Sequence, residues 1–332
     1  MSEFTKTIVP VKGMLAGTIR LMIALMFPGQ GSQAPGMGKS LSESSQAANQ
    51  VFDTVSEAVE RDVREVCFGF DEETLRQTEN AQIALFTCGV AASQALKESL
   101  PDVAIRGVAG HSVGEYAALV AAGVLSVSDG AKLVQRRGEI MAAAGQVQPG
   151  SMAAVIGLDR DGAEALCKAA SSEGECVVAN DNCPGQLVIS GDKAAITKAV
   201  EIGKEHGAKR VLELNVSGAF HSPLMAESAK QMAEALKEVE FGAPRVPVFS
   251  NVTSEPGSGW ASLLELQLRQ PVRWTESMQN MIAEGFNTFV ECGSGEVLSG
   301  LMRRIDKEKK SFSVQNEETM KSTVEGLSEV VA

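Results

Sequence analysis

The residues best suited to chemistry lie in one short segment, Gly110-His111-Ser112-Val113-Gly114. This GxSxG pattern follows an apolar run and precedes a helical pattern beginning near Glu115, which is the context of a nucleophile elbow. The glycines allow a sharp turn that exposes the Ser112 hydroxyl, and the helix N-terminus provides backbone donors for a developing oxyanion. We therefore interpret Ser112 as a candidate nucleophile. The alternative is a tight strand-to-helix turn without chemistry.

A serine nucleophile needs a base, and the sequence contains three histidines, His111, His206 and His221. His111 is adjacent to Ser112, so we expect its side chain to point away from the hydroxyl. His206 lies in a charged helix end, where a solvated side chain is expected. His221, in the segment SGAFHSP, follows a predicted strand and can face a site between two domains. Elimination favours His221 as the base, against a purely structural histidine.

Two consecutive arginines fall on different faces of a predicted helix, because each residue rotates by about 100° around the axis. Arg136 shares a face with Lys132 and Glu139, whereas Arg137 falls in the middle of an apolar stripe. The stripe consists of Leu133, Val134, Ile140, Met141 and Ala144. A guanidinium in apolar surroundings is unfavourable unless it meets an anion. Two possibilities stay open: Arg137 is half of a buried ion pair, or it binds an acidic substrate.

Two glycine patterns resemble nucleotide-binding motifs but lack the required context. Gly29 and Gly31 follow a predicted strand as in a dinucleotide-binding fold, but Pro35 interferes with the helix that should begin there. Gly38-Lys39-Ser40 resembles the end of a Walker A loop, but Gln33 stands where the first glycine is required. We therefore do not expect a nucleotide-binding loop at either position.

Composition narrows the class of protein further. The net charge is -12, from 30 basic and 42 acidic residues, which disfavours binding to nucleic acid. Six cysteines without a CxxC pair indicate neither a metal site nor a disulfide framework, and they favour a reducing compartment. No uncharged apolar run reaches the roughly 18 residues needed to span a bilayer. We expect a cytoplasmic protein that has no metal and does not bind membranes.

Apolar periodicity predicts an α/β fold built from two domains. Residues 1–20 are interpreted as an N-terminal extension. The expected elements of the part that follows are strands at 21–27 and 103–110 and helices at 41–66, 81–97 and 128–144, the last with Ser128 as N-cap.

Residues 148–216 show a β-α-β-β-α-β order, which is typical of a ferredoxin-like unit. After 217 the first pattern resumes, with strands near 246–251 and 287–292 and a helix near 296–305. The predicted architecture is therefore a large α/β domain with a parallel sheet, formed by 21–147 and 217–332, into which a ferredoxin-like domain is inserted at 148–216.

From about residue 21 to 310 the sequence resembles the malonyl-CoA:acyl carrier protein transacylase family of type II fatty acid synthesis, which is related to the acyltransferase domains of polyketide synthases. The motifs that carry the resemblance are FPGQGSQ (27–33), NAQIAL (80–85), GHSVGEYAAL (110–119), QRRGEIM (135–141), NDNCPGQLVISG (180–191), GAFHSPLM (218–225) and Gln267 followed by PVRW. Several motifs in this order are far more specific than any one of them.

The resemblance implies a hydrolase-like, parallel-sheet α/β large domain with an inserted ferredoxin-like domain, and a ping-pong reaction through a malonyl ester of Ser112. His221 would be the base, oriented by the backbone carbonyl of Gln267, so that no triad carboxylate is required. The substrate would be a coenzyme A thioester, malonyl-CoA, and the acceptor an acyl carrier protein, with no cofactor.

The same resemblance implies roles for four further residues. The backbone amides of Gln30 and Val113 would form the oxyanion hole, and Arg137 would bind the malonyl carboxylate. Val113 and Phe220 match the malonyl-type motifs of related polyketide domains, so Phe220 is expected in the acyl pocket. The sequence departs from the family at GSGE (293–296), where a GPGK-like sequence is common, and in its N-terminal extension.

An acidic carrier protein would be repelled by the net charge of -12 unless a local basic surface offsets it. A candidate surface is the C-terminal basic segment, defined as Arg303, Arg304, Lys307, Lys309 and Lys310. The alternative is a solvated helix face. Two rival functions also remain: a serine hydrolase with the same elbow, which would have little use for Arg137, and an inactive docking module.

Overall fold

The structure is a computed structural model that describes residues 21–331, so the predicted extension at 1–20 lies outside the described residues. The β-strands are β1 (Ile23–Phe27), β2 (Ile105–Gly110), β3 (Gly150–Ile156), β4 (Cys176–Cys183), β5 (Gln186–Asp192), β6 (Arg210–Glu213), β7 (Val248–Phe249), β8 (Thr288–Cys292) and β9 (Lys310–Val314). The α-helices are α1 (Lys39–Ser44), α2 (Gln46–Ala58), α3 (Glu72–Arg76), α4 (Thr78–Ser99), α5 (Gly114–Ala121), α6 (Val127–Val147), α7 (Arg160–Ala170), α8 (Lys193–Ile202), α9 (Ala226–Leu236), α10 (Trp260–Gln267), α11 (Trp274–Ala283), α12 (Val297–Ile305) and α13 (Glu317–Val331).

The larger sheet is parallel, with strand order β7-β2-β1-β8-β9. Every residue of β1 and of β8 is buried, as expected for central strands covered by helices on both faces. The Ala-rich helix α4 is buried along most of its length and packs against α2, α5 and α6. The predicted parallel-sheet α/β domain is confirmed.

The smaller sheet is antiparallel, with strand order β4-β5-β3-β6, and α7 and α8 pack together beside it. Its chain order is β-α-β-β-α-β, so the predicted ferredoxin-like unit is confirmed. All four strands lie between α6 and α9, which belong to the larger unit. The boundaries proposed at 148 and 216 stay a prediction.

Hydrogen bonds join the unit of the smaller sheet to that of the larger sheet, and two of them are backbone bonds made by β4. Asp181 N–H donates to Val272 O at 2.9 Å, and Val272 N–H donates to Ala179 O at 2.8 Å. In the turn between β4 and β5, the side chain of Arg304, from α12, donates to Pro184 O at 3.0 Å and to Gln186 Oε1 at 2.5 Å. These contacts hold the smaller sheet over the carboxyl ends of β1 and β2 and create a cleft there.

Two predicted helix boundaries are wrong. The helix expected at 41–66 is broken at Ser45, which has an extended backbone and caps α2 through its side chain: Ser45 Oγ accepts from Ala48 N–H at 3.1 Å. Helix α6 begins earlier than expected, because Ser126 rather than Ser128 is its N-cap and accepts from Asp129 N–H at 3.0 Å. Capping depends on the backbone conformation of one residue, which apolar periodicity does not report.

Within residues 21–331, no helix is both long and apolar enough to cross a membrane. All six cysteines of the sequence are buried and unpaired by disulfides.

The turn between β2 and α5 depends on a glycine that packs directly against β1. A Cβ placed on Gly114 would lie 2.1 Å from Phe27 O and 2.9 Å from Pro28 O. We predict that Gly114→Ala lowers the free energy of unfolding by about 1 to 3 kcal/mol, because the backbone of β1 must move. Urea denaturation followed by tryptophan fluorescence measures the change.

Gly300→Ala is the matched control, because a Cβ there finds Arg303 Nη2 at 3.9 Å as its nearest neighbour. It lies inside α12, so alanine should leave stability unchanged or raise it by up to about 1 kcal/mol. Equal urea midpoints for Gly114→Ala and the unmodified protein would show that this close packing does not contribute to stability.

Candidate active site

Ser112 lies at the carboxyl end of β2, in the turn that leads into α5. Its φ of 51° is in the left-handed region, which is uncommon for a residue with a side chain. His111 N–H donates to Phe27 O at 2.9 Å, so the turn is attached to the neighbouring strand β1. The strand-turn-helix context predicted for the GxSxG segment is present.

Asn251, just after β7, supports this turn. Its Oδ1 accepts from Ser112 N–H at 2.7 Å, and its Nδ2 donates to Gly110 O at 2.6 Å. The Asn251 side chain therefore satisfies one backbone donor and one backbone acceptor of the strained turn. Its own backbone N–H donates to Glu115 Oε1 at 2.8 Å, which places Asn251 between the two ends of the turn.

The Ser112 hydroxyl lies beside the imidazole of His221. The distance from Ser112 Oγ to His221 Nε2 is 2.8 Å, and His221 Nδ1 lies 2.7 Å from the backbone carbonyl oxygen of Gln267. The carbonyl accepts from Nδ1–H, which leaves Nε2 as the acceptor for the serine proton. This is the geometry of a nucleophile, a base and an orienting group.

Burial lowers the pKa of His221 to about 3, and the positive charge of Arg137 acts in the same direction. The imidazole is therefore neutral at physiological pH and able to accept a proton. As a candidate base with such a low pKa, His221 would depend on its position, because Nε2 is already within hydrogen-bond distance of Ser112 Oγ.

The other two histidines do not contact the serine hydroxyl. His111 Nε2 lies 2.8 Å from Asn182 Oδ1, and its ring packs against Trp274, so the side chain points away from Ser112 Oγ. Burial lowers the pKa of His111. His206 is exposed, as predicted. His221 is thus the histidine that the fold brings to the serine.

Arg137 is fully buried and reaches the serine from helix α6. Its Nη2 donates to Ser112 Oγ at 3.0 Å and to Gln267 Oε1 at 3.1 Å, and its Nη1 donates to Gln82 Oε1 at 2.7 Å. Arg136 is exposed and lies 3.5 Å from Glu139. The helical-face prediction for the two arginines is confirmed.

Among the described residues, no carboxylate oxygen lies within 4.0 Å of the Arg137 guanidinium, and its acceptors are neutral. The alternative of a buried ion pair is therefore not supported. A buried cation beside a nucleophile and without a charged partner is suited to an anionic group of a ligand.

Two backbone N–H groups near Ser112 are available to a ligand. Within residues 21–331, the N–H groups of Gln30 and Val113 donate to no protein acceptor. Val113 directly follows Ser112 at the N-terminus of α5, and Gln30 lies in the loop after β1. Donors at these positions are suited to an oxyanion.

A cavity of about 480 Å³ lies in the cleft and is lined by Ser112, His221, Gln30 and His111. Phe220, Met141 and Met152 also line it and contribute apolar surface. Phe220 thus lines the same cavity as Ser112, and its expected role in the acyl pocket stays a prediction. In the part of the chain that the structure describes, no cluster of three or more His, Cys, Asp or Glu side chains could hold a metal ion.

Comparison with known proteins identifies the family. Residues 25–322 match the acyl transferase domain family. The chain is 43% identical over 313 residues to the malonyl CoA-acyl carrier protein transacylase of Bacillus subtilis (strain 168), covering 92% of this chain and 98% of that protein. The chain belongs to the acyl transferase domain family. The resemblance stated from the sequence motifs is confirmed, and the protein is an acyltransferase.

Solved structures agree with this acyltransferase fold. An acyl-carrier-protein-S-malonyltransferase from Bartonella henselae has a TM-score of 0.87 and 42% identity, covering 93% of this chain and all of that chain. A second solved structure is that of a malonyl-transacylase in complex with its type II polyketide acyl-carrier protein. The matched chain of this structure has a TM-score of 0.87 and 35% identity, covering 92% of this chain and 99% of that one.

Three residues of the acyltransferase site were not singled out from the sequence: Asn251, Glu115 and Gln82. Gln82 and Glu115 lie within quoted motifs, and each is a polar residue in an otherwise buried helix, which is a signal that sequence inspection can use. Asn251 follows a buried strand, but nothing local links it to Ser112. Its role emerges only when β7 pairs with β2.

We predict that Asn251→Ala slows labelling of Ser112 by a neutral fluorophosphonate about 10-fold or more. The substitution leaves Ser112 N–H and Gly110 C=O without their side-chain partner, and small displacements of reacting groups are costly. Labelling is measured by intact mass against time.

Asn280→Ala is the control for this experiment. Asn280 Nδ2 donates to Ser254 O at 3.0 Å, and Ser254 also has a left-handed φ, of 61°, but lies in another loop. Equal labelling rates for the two variants would show that Asn251 does not position the nucleophile.

Proposed function

We propose that this acyltransferase transfers the malonyl group from malonyl-CoA to the phosphopantetheine thiol of acyl carrier protein, by a ping-pong mechanism through a malonyl-Ser112 ester, and so supplies fatty acid synthesis. The observation that carries the proposal is the position of the Arg137 guanidinium, fully buried and 3.0 Å from Ser112 Oγ. The names of the relatives, malonyl CoA-acyl carrier protein transacylases, support the substrate and the acceptor.

In the acylation step, Ser112 Oγ attacks the thioester carbon while His221 Nε2 accepts the hydroxyl proton. The negative charge that develops on the thioester oxygen is stabilised by the N–H groups of Gln30 and Val113. The tetrahedral intermediate then expels the coenzyme A thiolate, which receives the proton from His221. Coenzyme A leaves, and the malonyl group remains as an ester of Ser112.

The second half reaction uses the same groups in reverse. The thiol of the carrier protein's phosphopantetheine arm gives its proton to His221 Nε2, and its sulfur attacks the ester carbon. Collapse of the intermediate breaks the bond to Ser112 Oγ and returns the proton to the serine. We expect no cofactor, because a thioester is already activated toward attack.

Arg137 gives the proposed reaction its acyl specificity. A malonyl carboxylate can form charge-assisted hydrogen bonds with the guanidinium, whereas an acetyl group leaves the buried cation with neutral partners only. A general serine hydrolase has no need of a cation in its acyl pocket, so Arg137 favours the transferase over that rival. Intact Ser112, His221 and Arg137 also argue against an inactive docking module.

The carrier protein is the proposed macromolecular partner, supported by the related complex of a malonyl-transacylase with its acyl-carrier protein. In the C-terminal basic segment, Arg304 donates hydrogen bonds to the turn between β4 and β5, and Lys309 forms an ion pair with Asp306 at 3.6 Å. Arg303, Lys307 and Lys310 are therefore the members that remain better candidates for contact with an acidic partner. The cytoplasmic location stays a prediction.

We predict that Ser112→Ala forms no malonyl adduct with malonyl-CoA, because the hydroxyl that holds the acyl group is gone. His221→Ala should slow adduct formation by about 10²-fold to 10⁴-fold, the usual contribution of a positioned base. Intact mass spectrometry, first with malonyl-CoA and then with carrier protein, follows both half reactions. A stable adduct on Ser112→Ala would remove Ser112 from the mechanism.

We predict that Arg137→Ala lowers malonyl transfer by about 10²-fold or more, because the substrate carboxylate loses its charged partner in a buried site. Neutral acyl groups should load comparatively better on this variant than on the unmodified protein. Loading of malonyl-CoA and acetyl-CoA, measured side by side, gives the change in preference.

Arg136→Ala is the matched control, since it removes the adjacent arginine from the exposed face of the same helix. It should change neither rate appreciably. If the two arginine variants behave alike, the carboxylate binds elsewhere.

A further inference from the structure

Glu115, in the first turn of α5, has a fully buried carboxylate. Its Oε1 accepts from Asn251 N–H at 2.8 Å, and its Oε2 accepts from the side-chain amide of Gln267. A buried carboxylate is unfavourable unless its oxygens are hydrogen-bonded. Both partners of Glu115 belong to the active site, because Asn251 holds Ser112 and Gln267 holds His221 and Arg137.

The Gln267 side chain lies between a cation and a carboxylate. Its Oε1 accepts from Arg137 Nη2 at 3.1 Å, while its Nε2 donates to Glu115 Oε2 and, at 3.1 Å, to Ser112 O. A guanidinium only donates and a carboxylate only accepts, so one of the two amide orientations satisfies both neighbours. The reverse orientation would direct NH₂ at Arg137 and oxygen at Glu115.

We propose that Glu115 is a positioning residue for acyl transfer: it fixes the orientation of the Gln267 amide, which in turn holds Arg137 against Ser112. Gln267 also carries the backbone carbonyl that orients His221, so one residue places both the base and the carboxylate anchor. The inference rests on the proposed function in one respect, that Arg137 binds the acyl carboxylate.

The protonation state of Glu115 offers an independent readout. Burial raises the pKa of Glu115 to about 7, although its amide donors and the charge of Arg137 oppose the shift. The charged and titratable groups that face it are Arg137, from α6, and its neighbour Tyr116. When Glu115 is protonated it carries a hydrogen of its own, and the single amide orientation is no longer enforced.

Malonyl loading should therefore fall as the pH decreases through about 7. His221 cannot cause this change, because its pKa of about 3 keeps it neutral throughout the range. Acetyl loading should be less affected, because it does not depend on a carboxylate anchor.

The test compares Glu115→Gln with Glu291→Gln. Glu291 is an equally buried glutamate whose carboxylate accepts from Leu298 N–H at 3.0 Å and Ser299 N–H at 2.7 Å, at the start of α12. Rapid-quench mass spectrometry of Ser112 acylation would give loading rates for malonyl-CoA and acetyl-CoA between about pH 5.5 and 8.5.

We expect Glu115→Gln to lower malonyl loading about 10-fold to 100-fold, the rate equivalent of one charge-assisted hydrogen bond, and to affect acetyl loading less. Its decrease in rate near pH 7 should disappear. Glu291→Gln should keep both the malonyl preference and the decrease near pH 7. A Glu115→Gln variant that keeps the unmodified preference and pH profile would overturn the inference.

A double variant tests whether Glu115 acts through Gln267. Gln267→Leu removes the amide but keeps the backbone carbonyl. Adding Glu115→Gln to this variant should lower its malonyl loading rate by less than about 2-fold, and a fully additive decrease in the two variants would overturn the proposal. If Glu115→Gln does not fold, Glu115→Asp takes its place, because the shorter side chain keeps the charge but withdraws the carboxylate from the Gln267 amide; an unchanged malonyl preference in that variant would overturn the inference. Failure of the unmodified protein to form any malonyl-Ser112 adduct would instead contradict the proposed function.

Discussion

The burial of one guanidinium among neutral acceptors is the constraint on which the site depends. Arg137 donates to Gln82, Gln267 and Ser112, and none of these partners cancels its charge. Removing a cation from water in this way is unfavourable unless an anion pairs with it, so the proposed role of Arg137 in binding an acidic ligand follows from its burial. The same charge also acts on the base, because together with burial it lowers the pKa of His221 and keeps the imidazole neutral. In the proposed function, substrate choice and the action of the base are therefore linked through the side chain of Arg137.

The two-sheet architecture creates the conditions that this constraint needs. Parallel strands bring the turn after β2 and the loop after β1 to one edge, which is where Ser112 and Gln30 meet. The smaller sheet covers that edge. Backbone hydrogen bonds that join Val272 to Asp181 and to Ala179 fix the position of the smaller sheet. Hydrogen bonds and charges in the resulting cleft act in a medium of low dielectric constant, where they are stronger than in water. The inserted unit thus contributes to the electrostatics of the site as well as to its walls.

Local patterns were sufficient for part of this site. The spacing around Ser112 predicted the elbow, and helical periodicity separated Arg137 from Arg136 without any knowledge of the fold. Contacts between distant segments were beyond such patterns: Asn251 reaches Ser112 across 139 residues, and it does so only because β7 pairs with β2. The break at Ser45 was missed for a related reason, since Leu41 before the cap lies at helical spacing from Ala48 and Phe52 after it. Periodicity reports which face is buried, whereas caps and tertiary hydrogen bonds depend on individual backbone conformations.

The use of a backbone carbonyl to orient His221 follows from the same electrostatic constraint. Many serine enzymes place a carboxylate behind the histidine, where it orients the ring and stabilises the imidazolium. A carboxylate behind His221 would add a negative charge to the same buried site, and this charge would offset part of the positive charge of Arg137 that the proposed substrate needs. A carbonyl accepts the Nδ1 hydrogen without adding charge, so the ring is oriented and Arg137 remains unpaired. The nearest buried carboxylate, Glu115, is separated from the guanidinium by the Gln267 amide, which transmits an orientation without neutralising the charge.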